Sequence, residues 1–355
     1  MKYIKEEAFK STFKGKTTAL YTLKNKNGLV TQITNFGAKI VSIYVPDRDG
    51  NFKDIVLGYE TIDEYIPGNP YFGAICGRFA NRIANGKFVI EGNTYQLPVN
   101  NGPNSLHGGP EGFSNQVFDA KAVTQTKDGE AVEMVYVSID GEMGYPGTVI
   151  LKVRYSLTDS NELKLEYHAT TDKMTHINIA SHSYFNLAGE GNGDILSTEL
   201  SLNADTFTPV SDVLIPTGEL RKVSGTPMDF LKTKTIGKSI TEKYDQLDFG
   251  KGYDHNFVIN KKKAGDLTLA AICYEQRSGR AMEVYTTQPG VQLYSGNWLD
   301  GSDIGKGGNV YGIHSGFCLE TQNFPDSPNK PGFPSTLLKP GEVYSHSCVY
   351  KFYTK

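Results

Sequence analysis

Apolar side chains recur at every second position in several stretches of this chain. The clearest are residues 149–157 and 162–169, which a polar segment at residues 158–161 separates. Because alternate side chains point to opposite faces of a strand, each stretch predicts a strand with one buried face, and the two together predict a β-hairpin. The same pattern predicts two further hairpins, from residues 87–91 and 95–97 and from residues 267–276 and 281–287.

Turn-forming residues separate these stretches and leave little room for helices, since the chain has 38 glycines and 16 prolines. Helical patterns are confined to Thr61–Ile66, where Thr61 and Glu64 suit a helix start, and to Lys234–Lys243. Strand patterns continue across every candidate boundary. We therefore predict an all-β fold, with residues 1–355 forming a single domain built as one large antiparallel β-sandwich.

The composition limits the classes of binding partner but does not indicate a function. The 355 residues carry a formal net charge of -3, the pI is about 6.2, and no basic patch stands out, so nucleic acid is not an expected partner. No apolar run approaches the ~20 residues of a membrane span, so a membrane partner is not expected either. The sequence leaves the oligomeric state open between monomer and homodimer.

Cysteine usage and the N-terminal segment bear on the compartment. The four cysteines form no CxxC pair and lie in apolar surroundings, which predicts buried free thiols in a reducing compartment. The first residues lack the apolar stretch of a signal peptide. We therefore expect a cytoplasmic location, although earlier removal of a signal peptide is compatible with the same sequence.

A lone acid near the end of the chain is the first candidate for chemistry. In GFCLETQNFPD, residues 316–326, Glu320 stands among neutral hydrogen-bonding residues. If Phe317 and Leu319 face the core, Cys318 and Glu320 share the opposite face, where small neighbours leave room for a ligand. A solvated glutamate at a strand edge is the simpler interpretation of this segment alone.

Two histidines stand in comparable surroundings. In INIASHSYFNL, residues 177–187, a regular strand places His182 and Tyr184 on one polar face, opposite Ile177 and Ile179. In NSLHGG, residues 104–109, His107 precedes two glycines, which allow the backbone to approach a ligand closely. Each histidine alone is also compatible with a structural role.

Three more segments add directional hydrogen-bonding groups. Arg78 and Arg82 flank Asn81 in GRFANRIANG, Asp254 in GYDHNF suits a pair of hydroxyls, and Gln292 lies in QPGVQLYSGNW. One acid, neutral amides, arginines and histidines at strand ends form the mixture that a polyhydroxylated ligand requires. The glycine spacing matches neither a Walker A loop nor a dinucleotide fingerprint.

Metal and serine-nucleophile chemistry receive little support from the motifs. The chain has no HExxH, no His-x-His and no GxSxG segment. His176 and His182 are six residues apart, which is too far along a strand for one ion without a bend. We therefore predict no metal site and no cofactor.

Taken together, the segments resemble the aldose 1-epimerases, also called galactose mutarotases. The resemblance covers the chain from about residue 20 to its end, in the family's order. It implies a mutarotase-type β-sandwich and the interconversion of α and β anomers of free aldohexoses such as glucose and galactose. The matching text is GRFANRIANG, PNSLHGG, ASHSYFNL, GYDHNF, EVYTTQPGVQLYSGNWLDG and HSGFCLETQNFPDSPN.

The resemblance also implies a role for each candidate residue. Glu320 matches the family's general base and His182 its general acid. No cofactor is implied, because ring opening and closure involve no redox step. The implied substrate-binding residues are Asn81, Arg82, His107, Tyr184, Asp254 and Gln292.

Three alternatives remain open on the sequence. A hexose-6-phosphate 1-epimerase of the same fold would need a phosphate pocket rich in arginine and lysine. A non-catalytic sugar-binding module would tolerate loss of Glu320 or His182, and both are present. A glycoside hydrolase or lyase would need a second catalytic carboxylate, for which Asp254 is the candidate.

Overall fold

Antiparallel strands make up most of the structure. The protein is represented by a computed structural model that describes residues 3–67, 70–126 and 129–355, without the side chains of residues 124–126. Within these ranges, every ladder between strands is antiparallel, and the two largest sheets have nine and six strands. None of the helices in the described ranges has the length and apolar character needed to cross a bilayer.

The nine-stranded sheet is assembled largely from hairpins. The three hairpins predicted from alternation all form, and two of them lie in this sheet. Residues 149–157 pair with residues 163–171 without interruption, because their alternate apolar side chains reach the same core. In spatial order its strands are Asp119–Thr126, Gly129–Ser138, Val149–Leu157, Glu162–Thr171, Tyr344–Thr354, Arg280–Thr286, Thr268–Tyr274, Glu199–Leu202 and Lys234–Thr235.

The six-stranded sheet packs against the nine-stranded sheet and closes the main core. Tyr155 and Leu165 from the larger sheet share one apolar cluster with Phe257 and Leu319 from the smaller one. Burying each such side chain contributes roughly 1.5–3 kcal/mol, so this interface holds the sandwich together. The strands of the smaller sheet, in spatial order, are Tyr184–Phe185, Phe317–Gln322, Gly290–Tyr294, Asp254–Val258, Thr206–Thr208 and Arg221–Lys222.

Smaller ladders surround the two main sheets. A four-stranded sheet contains Leu20–Lys24, Val30–Thr34, Lys39–Pro46 and Phe52–Asp54. Two-stranded ladders pair Ser11–Phe13 with Lys16–Thr18, Ala74–Cys76 with Ala180–His182, Arg82–Ile83 with Ser105–Leu106, Lys87–Ile90 with Asn93–Gln96, and Thr175–His176 with Leu337–Leu338.

Helices are short, as expected from the glycine and proline content. Thr61 and Glu64 form the predicted capping box of a helix over Ile62–Tyr65. The prediction of a short helix over Lys234–Lys243 is met only by a single 3₁₀ turn at Ile236–Lys238, because Lys234 pairs with the sheet edge and the second α-helix begins only at Asp245. That helix spans Asp245–Gly250, and the 3₁₀ segments are Glu6–Phe9, Ala84–Gly86, Phe113–Asn115, Glu142–Gly144, Ile236–Lys238, Lys306–Gly308 and Ser327–Asn329.

Arg78 has a structural position rather than a ligand-binding one. Its side chain is buried, and its guanidinium donates hydrogen bonds to the carbonyl oxygens of Pro146 and Gly147, both at 2.8 Å, and to the hydroxyl of Ser138 at 2.5 Å. Arg78 does not line the cavity of about 540 Å³ to which Arg82 contributes. Arg78 therefore satisfies backbone oxygens that would otherwise be buried without partners.

We predict that Arg78→Met destabilises the fold without altering the cavity to which Arg82 contributes. Removing the guanidinium leaves several buried oxygens unpaired, each at a cost of about 1–3 kcal/mol, so the free energy of unfolding should fall by about 3 kcal/mol or more. Urea denaturation followed by circular dichroism measures the change.

Arg154→Met is the matched control for this experiment. Arg154 is partly exposed and contacts Glu133 at 3.3 Å, so its loss should cost no more than about 1 kcal/mol. Equal denaturation midpoints for the two variants would contradict the structural role of Arg78.

Candidate active site

Strand register places the polar candidates on one face of the six-stranded sheet. Gln292 lies directly opposite Glu320 on one neighbouring strand and Asn256 on the other. Cys318 lies opposite Tyr184 and Tyr294 in the next row. Directly paired residues share a face, so the alternation that sends Phe317 and Leu319 into the core leaves a polar surface on the other side.

A cavity of about 540 Å³ lies over this polar surface and brings distant candidates together. Its lining comes from several loops as well as from the sheet. Seven of the eight predicted site residues line it, namely Asn81, Arg82, His107, His182, Tyr184, Asp254 and Glu320. The eighth, Gln292, contacts the cavity residue Asp254.

His182 reaches the cavity because its segment bends. The regular strand expected over residues 177–187 is wrong, since this part of the chain instead forms two short strands with different partners. Ala180–His182 pairs with Ala74–Cys76, whereas Tyr184–Phe185 joins the six-stranded sheet. His182 and Tyr184 nevertheless both face the cavity, as the sequence predicts.

Glu320 and His182 meet at the floor of the cavity. The Nε2 atom of His182 lies 3.6 Å from Oε1 of Glu320, and both side chains are almost fully buried. The other carboxylate oxygen, Oε2, is buried and has no hydrogen-bond partner among the described residues. A buried acceptor without a partner costs free energy unless a ligand or water satisfies it.

Burial shifts both groups toward their neutral forms. Desolvation raises the pKa of Glu320 well above its ordinary value, the charge of Asp254 raises it further, and Arg82 opposes both effects. Desolvation also lowers the pKa of His182 to about 4. No lysine or arginine in the described chain forms a direct ion pair with Glu320, as the sequence suggested.

Two hydrogen bonds with Asn81 hold His107 in place. The backbone N–H of Asn81 donates to Nδ1 of His107 at 3.2 Å, and the N–H of His107 donates to the carbonyl of Asn81 at 3.1 Å. Both residues adopt positive φ angles, 65° and 51°, which side-chain-bearing residues rarely do. Because Nδ1 accepts a hydrogen bond, neutral His107 carries its proton on Nε2. Burial, followed by His182 and Arg82, lowers its pKa.

Asp254 and Arg82 form a second pair of polar side chains in the cavity. Asp254 accepts a 2.7 Å hydrogen bond from the amide of Gln292 and lies 3.6 Å from the guanidinium of Arg82. Arg82 also donates from Nε to the side chain of Asn101 at 2.9 Å. These contacts hold Asp254 and Arg82 in fixed orientations, so they can present an acceptor and donors to hydroxyl groups.

Aromatic side chains and a thiol surround His182. The ring of Tyr184 lies 5.0 Å from the imidazole, and its hydroxyl donates to the carbonyl of Pro70 at 2.8 Å. The sulfur of Cys318 lies 3.5 Å from Nδ1 of His182. All four cysteines are free and buried, which confirms the prediction from their spacing and surroundings.

Several cavity residues were not predicted. Tyr71, Leu214, Phe249 and Trp298 line the cavity. Tyr71 and Leu214 have positive φ angles that no sequence pattern predicts, and Phe249 lies in the Asp245–Gly250 helix, which begins after the segment where a helix was predicted. Trp298 lies within a matching segment, but a single exposed tryptophan carried no distinguishing signal.

Three side chains in the cavity are of types that can bind a metal ion. They differ from the pair His176 and His182 that was considered from the sequence. Ligand atoms of His107, His182 and Glu320 lie within 4.8 Å of one another, whereas His176 bonds to Thr336 elsewhere. Metal binding through Nε2 of His107 would require the loss of a proton from that atom while Nδ1 is engaged by Asn81. The trio therefore fits a metal poorly without rearrangement.

The fold and the site together define a class of protein. A buried carboxylate and imidazole lie in a cavity that also presents a fixed carboxylate and guanidinium, which suits acid–base chemistry on a polyhydroxylated ligand. A family model described as Aldose 1-epimerase matches residues 19–351. The chain belongs to the aldose 1-epimerase family.

Two named relatives and a solved structure agree with this assignment. The chain is 46% identical to the galactose mutarotase of Bos taurus, over 91% of each chain. It is 37% identical to the aldose 1-epimerase of Escherichia coli K12, over 95% of this chain and 96% of that protein. A Caenorhabditis elegans aldose epimerase homologue superposes with a TM-score of 0.86 at 30% identity, covering 95% of this chain and 99% of that one.

We predict that His107 is the Nε2-protonated tautomer near neutral pH, because Nδ1 accepts the Asn81 amide hydrogen. Long-range ¹H–¹⁵N NMR spectra of histidine-labelled protein distinguish the two ring nitrogens by chemical shift. Comparison with His107→Gln assigns the signal. A proton on Nδ1 would contradict the described geometry.

Proposed function

We propose that this aldose 1-epimerase interconverts the α and β anomers of free aldohexoses such as glucose and galactose through general acid–base ring opening. The approach of His182 to Glu320, at 3.6 Å within a cavity of sugar-binding character, is the observation that carries the proposal. The family assignment supports the reaction class.

In the proposed reaction, Glu320 takes the proton of the C1 hydroxyl while His182 gives a proton to the ring oxygen. The C1–O5 bond breaks, and its electron pair goes to the ring oxygen as the C1 carbonyl forms. Rotation about C1–C2 then presents the other face of the aldehyde. Return of both protons closes the ring in the opposite configuration. General acid–base assistance of this kind contributes about 10²–10⁴-fold.

The two catalytic groups are close enough to titrate as a pair. Because burial lowers the pKa of His182 to about 4 and raises that of Glu320, the pair holds one proton between the two values. Burial favours the neutral form with that proton on Glu320, and its transfer to His182 makes Glu320 the base and His182 the acid. Their opposite charges stabilise this arrangement in a buried site.

The remaining predicted residues are proposed to form the sugar-binding part of the cavity. Asp254 supplies an acceptor and Arg82 a donor, and Gln292 orients Asp254 through its 2.7 Å hydrogen bond. His107 presents its Nε2–H, and Asn81 holds it in place. The hydroxyl of Tyr184 is engaged by Pro70, so its ring, rather than its hydroxyl, is proposed to shape the pocket.

A phosphorylated hexose is a weaker candidate substrate. Of the described residues that line the cavity, Arg82 alone is a lysine or arginine, and Asp254 already balances its charge. A phosphate needs several such donors. A free sugar, which carries no charge, matches this lining better.

The domain organisation, the location and the oligomeric state are also proposals. We propose a single functional domain over residues 1–355, since the family model spans residues 19–351. A cytoplasmic location agrees with four free thiols, and the protein is proposed to act as a monomer or homodimer without a cofactor. The proposed ring opening transfers only protons and therefore needs no redox group.

We predict that Glu320→Gln lowers kcat by at least about 10²-fold, because the amide cannot accept the C1 proton. Polarimetry of freshly dissolved α-D-glucose and α-D-galactose measures turnover above the spontaneous rate. Sugar binding should persist, and fluorescence of Trp298, the sole tryptophan at the cavity lining, can detect it.

Glu283→Gln is the control for the charge change, since Glu283 lies in the nine-stranded sheet outside the cavity lining. It should retain the normal rate. A Glu320→Gln enzyme of near-normal rate would show that the base is assigned wrongly, and activity only on glucose 6-phosphate would favour the phosphate-specific alternative.

The pH–rate profile should be bell-shaped. Below the His182 pKa of about 4, both groups are protonated and no base remains. Above the raised pKa of Glu320, the pair has lost its proton and no acid remains. We therefore expect kcat/KM to rise through about pH 4 and to fall at higher pH, once buffer catalysis has been subtracted.

His182→Asn should reduce the rate about 10²–10⁴-fold and remove the limb near pH 4. Cys273→Ser, a buried change outside the cavity lining, is a control for general perturbation. A His182→Asn enzyme that keeps the original acid limb would assign that limb to another group.

A further inference from the structure

We propose that Tyr71 is a positioning residue that seals the two cavity histidines from water and thereby sets the acid limit of the reaction. This inference rests on the proposed function of Glu320 and His182. It adds a residue that none of the matching segments contains.

Tyr71 begins a tight turn that is tied directly to His182. The N–H of Gly73 donates to the carbonyl of His182 at 3.1 Å, and the N–H of Ala74 donates to the carbonyl of Tyr71 at 3.0 Å. Gly73 has a φ of 67°, and a Cβ there would lie 1.9 Å from the carbonyl oxygen of Ile40. The turn therefore has little freedom to move away from His182.

The next side chain, Phe72, anchors the turn in an apolar cluster. Phe72 packs with its ring centroid 5.5 Å from that of Tyr59 and 5.0 Å from that of Tyr184, inside an apolar cluster. Burial of Phe72 and the close fit of Gly73 fix the two residues that follow Tyr71. Tyr71 itself has a φ of 66°, which an aromatic residue adopts only where its surroundings impose it.

This strained conformation places the Tyr71 ring against both imidazoles. Its centroid lies 4.7 Å from that of His107 and 5.8 Å from that of His182, and the two imidazoles lie 5.1 Å apart. Each ring thus contacts the other two. Tyr71 lines the cavity alongside both imidazoles, so its ring covers the parts of the imidazoles that it contacts.

Desolvation is the first cause of the lowered pKa of His182 and of His107. Removal of the Tyr71 ring admits water to the imidazoles, so desolvation weakens and their pKa values rise. The phenol itself cannot produce the acid limb, because burial raises its pKa to about 12. The other titratable or charged groups beside His182 are Cys318, Glu320, Tyr184 and Tyr294. Cys76, which interacts with Lys39, acts on Tyr71, and Arg82 acts on both Tyr71 and His107. Asp254 acts on Glu320.

The test compares Tyr71→Gly and Tyr71→Asn with Tyr71→Phe. Glycine and asparagine tolerate positive φ, so they remove the ring without adding backbone strain. Phenylalanine keeps the ring and deletes the hydroxyl. Tyr95→Ala is the matched control, because it deletes an aromatic ring that packs on Phe88 away from the cavity.

We expect the acid limb of kcat/KM for α-D-glucose to move upward by about one pH unit or more in Tyr71→Gly and Tyr71→Asn, toward the ordinary range of an imidazole. Tyr71→Phe and Tyr95→Ala should keep the original limb. An unmoved limb in both ring-deleted variants would overturn the proposal. So would a Tyr71→Phe enzyme with a shifted limb, because the hydroxyl would then be responsible.

An NMR titration separates this inference from the proposed function. The pKa of His182, measured from its ring signals in ¹⁵N-histidine-labelled protein, should rise in Tyr71→Gly and stay unchanged in Tyr71→Phe. This readout needs no turnover, so it remains decisive if the wild-type enzyme lacks mutarotase activity. If Tyr71→Gly fails to fold by circular dichroism, the same titration of Tyr71→Asn decides, and an unchanged pKa there would refute the sealing role.

Discussion

Removal of water from Glu320 and His182 is the constraint on which the site depends. Both side chains are almost fully buried, and they lie 3.6 Å apart. Burial makes a carboxylate a stronger base and an imidazolium a stronger acid, so one physical effect prepares both for proton transfer. The same effect makes two full charges costly in isolation, and proximity offsets that cost because one group can receive the charge that the other loses.

The β-sandwich supplies this environment through the two-residue period of its strands. Within Phe317–Gln322, alternate side chains hold the core together and line the cavity, so the residues that stabilise the sheet also aim Glu320. Gln292 and Cys318 lie on the same face of the sheet as Glu320, and Cys318 contacts His182. A shift of one residue in register would turn the carboxylate into the core, so fold stability and site geometry are coupled.

Alternation and family motifs predicted most of the sandwich and the cavity, because both are local signals in the chain. The hairpins follow from period two, and Glu320 and His182 lie within matching segments. What escaped prediction depends on tertiary contacts. The break in the strand after His182 arises because Ala180–His182 pairs with Ala74–Cys76 and the next strand joins another sheet, and the strained backbone of Tyr71 comes from a turn held by Gly73 and Phe72. Propensity carries no information about such enforced conformations.

The two cavity carboxylates, Asp254 and Glu320, have different surroundings, which suit them to different roles. Asp254 has a guanidinium at 3.6 Å and an amide donor at 2.7 Å, so its oxygens are held for directional hydrogen bonds. Glu320 has an imidazole at 3.6 Å and one oxygen without a partner in the described chain, so it retains capacity for a proton. The charge of Asp254 also raises the pKa of Glu320. A residue proposed to bind the sugar therefore strengthens the base, which couples recognition to proton transfer through space.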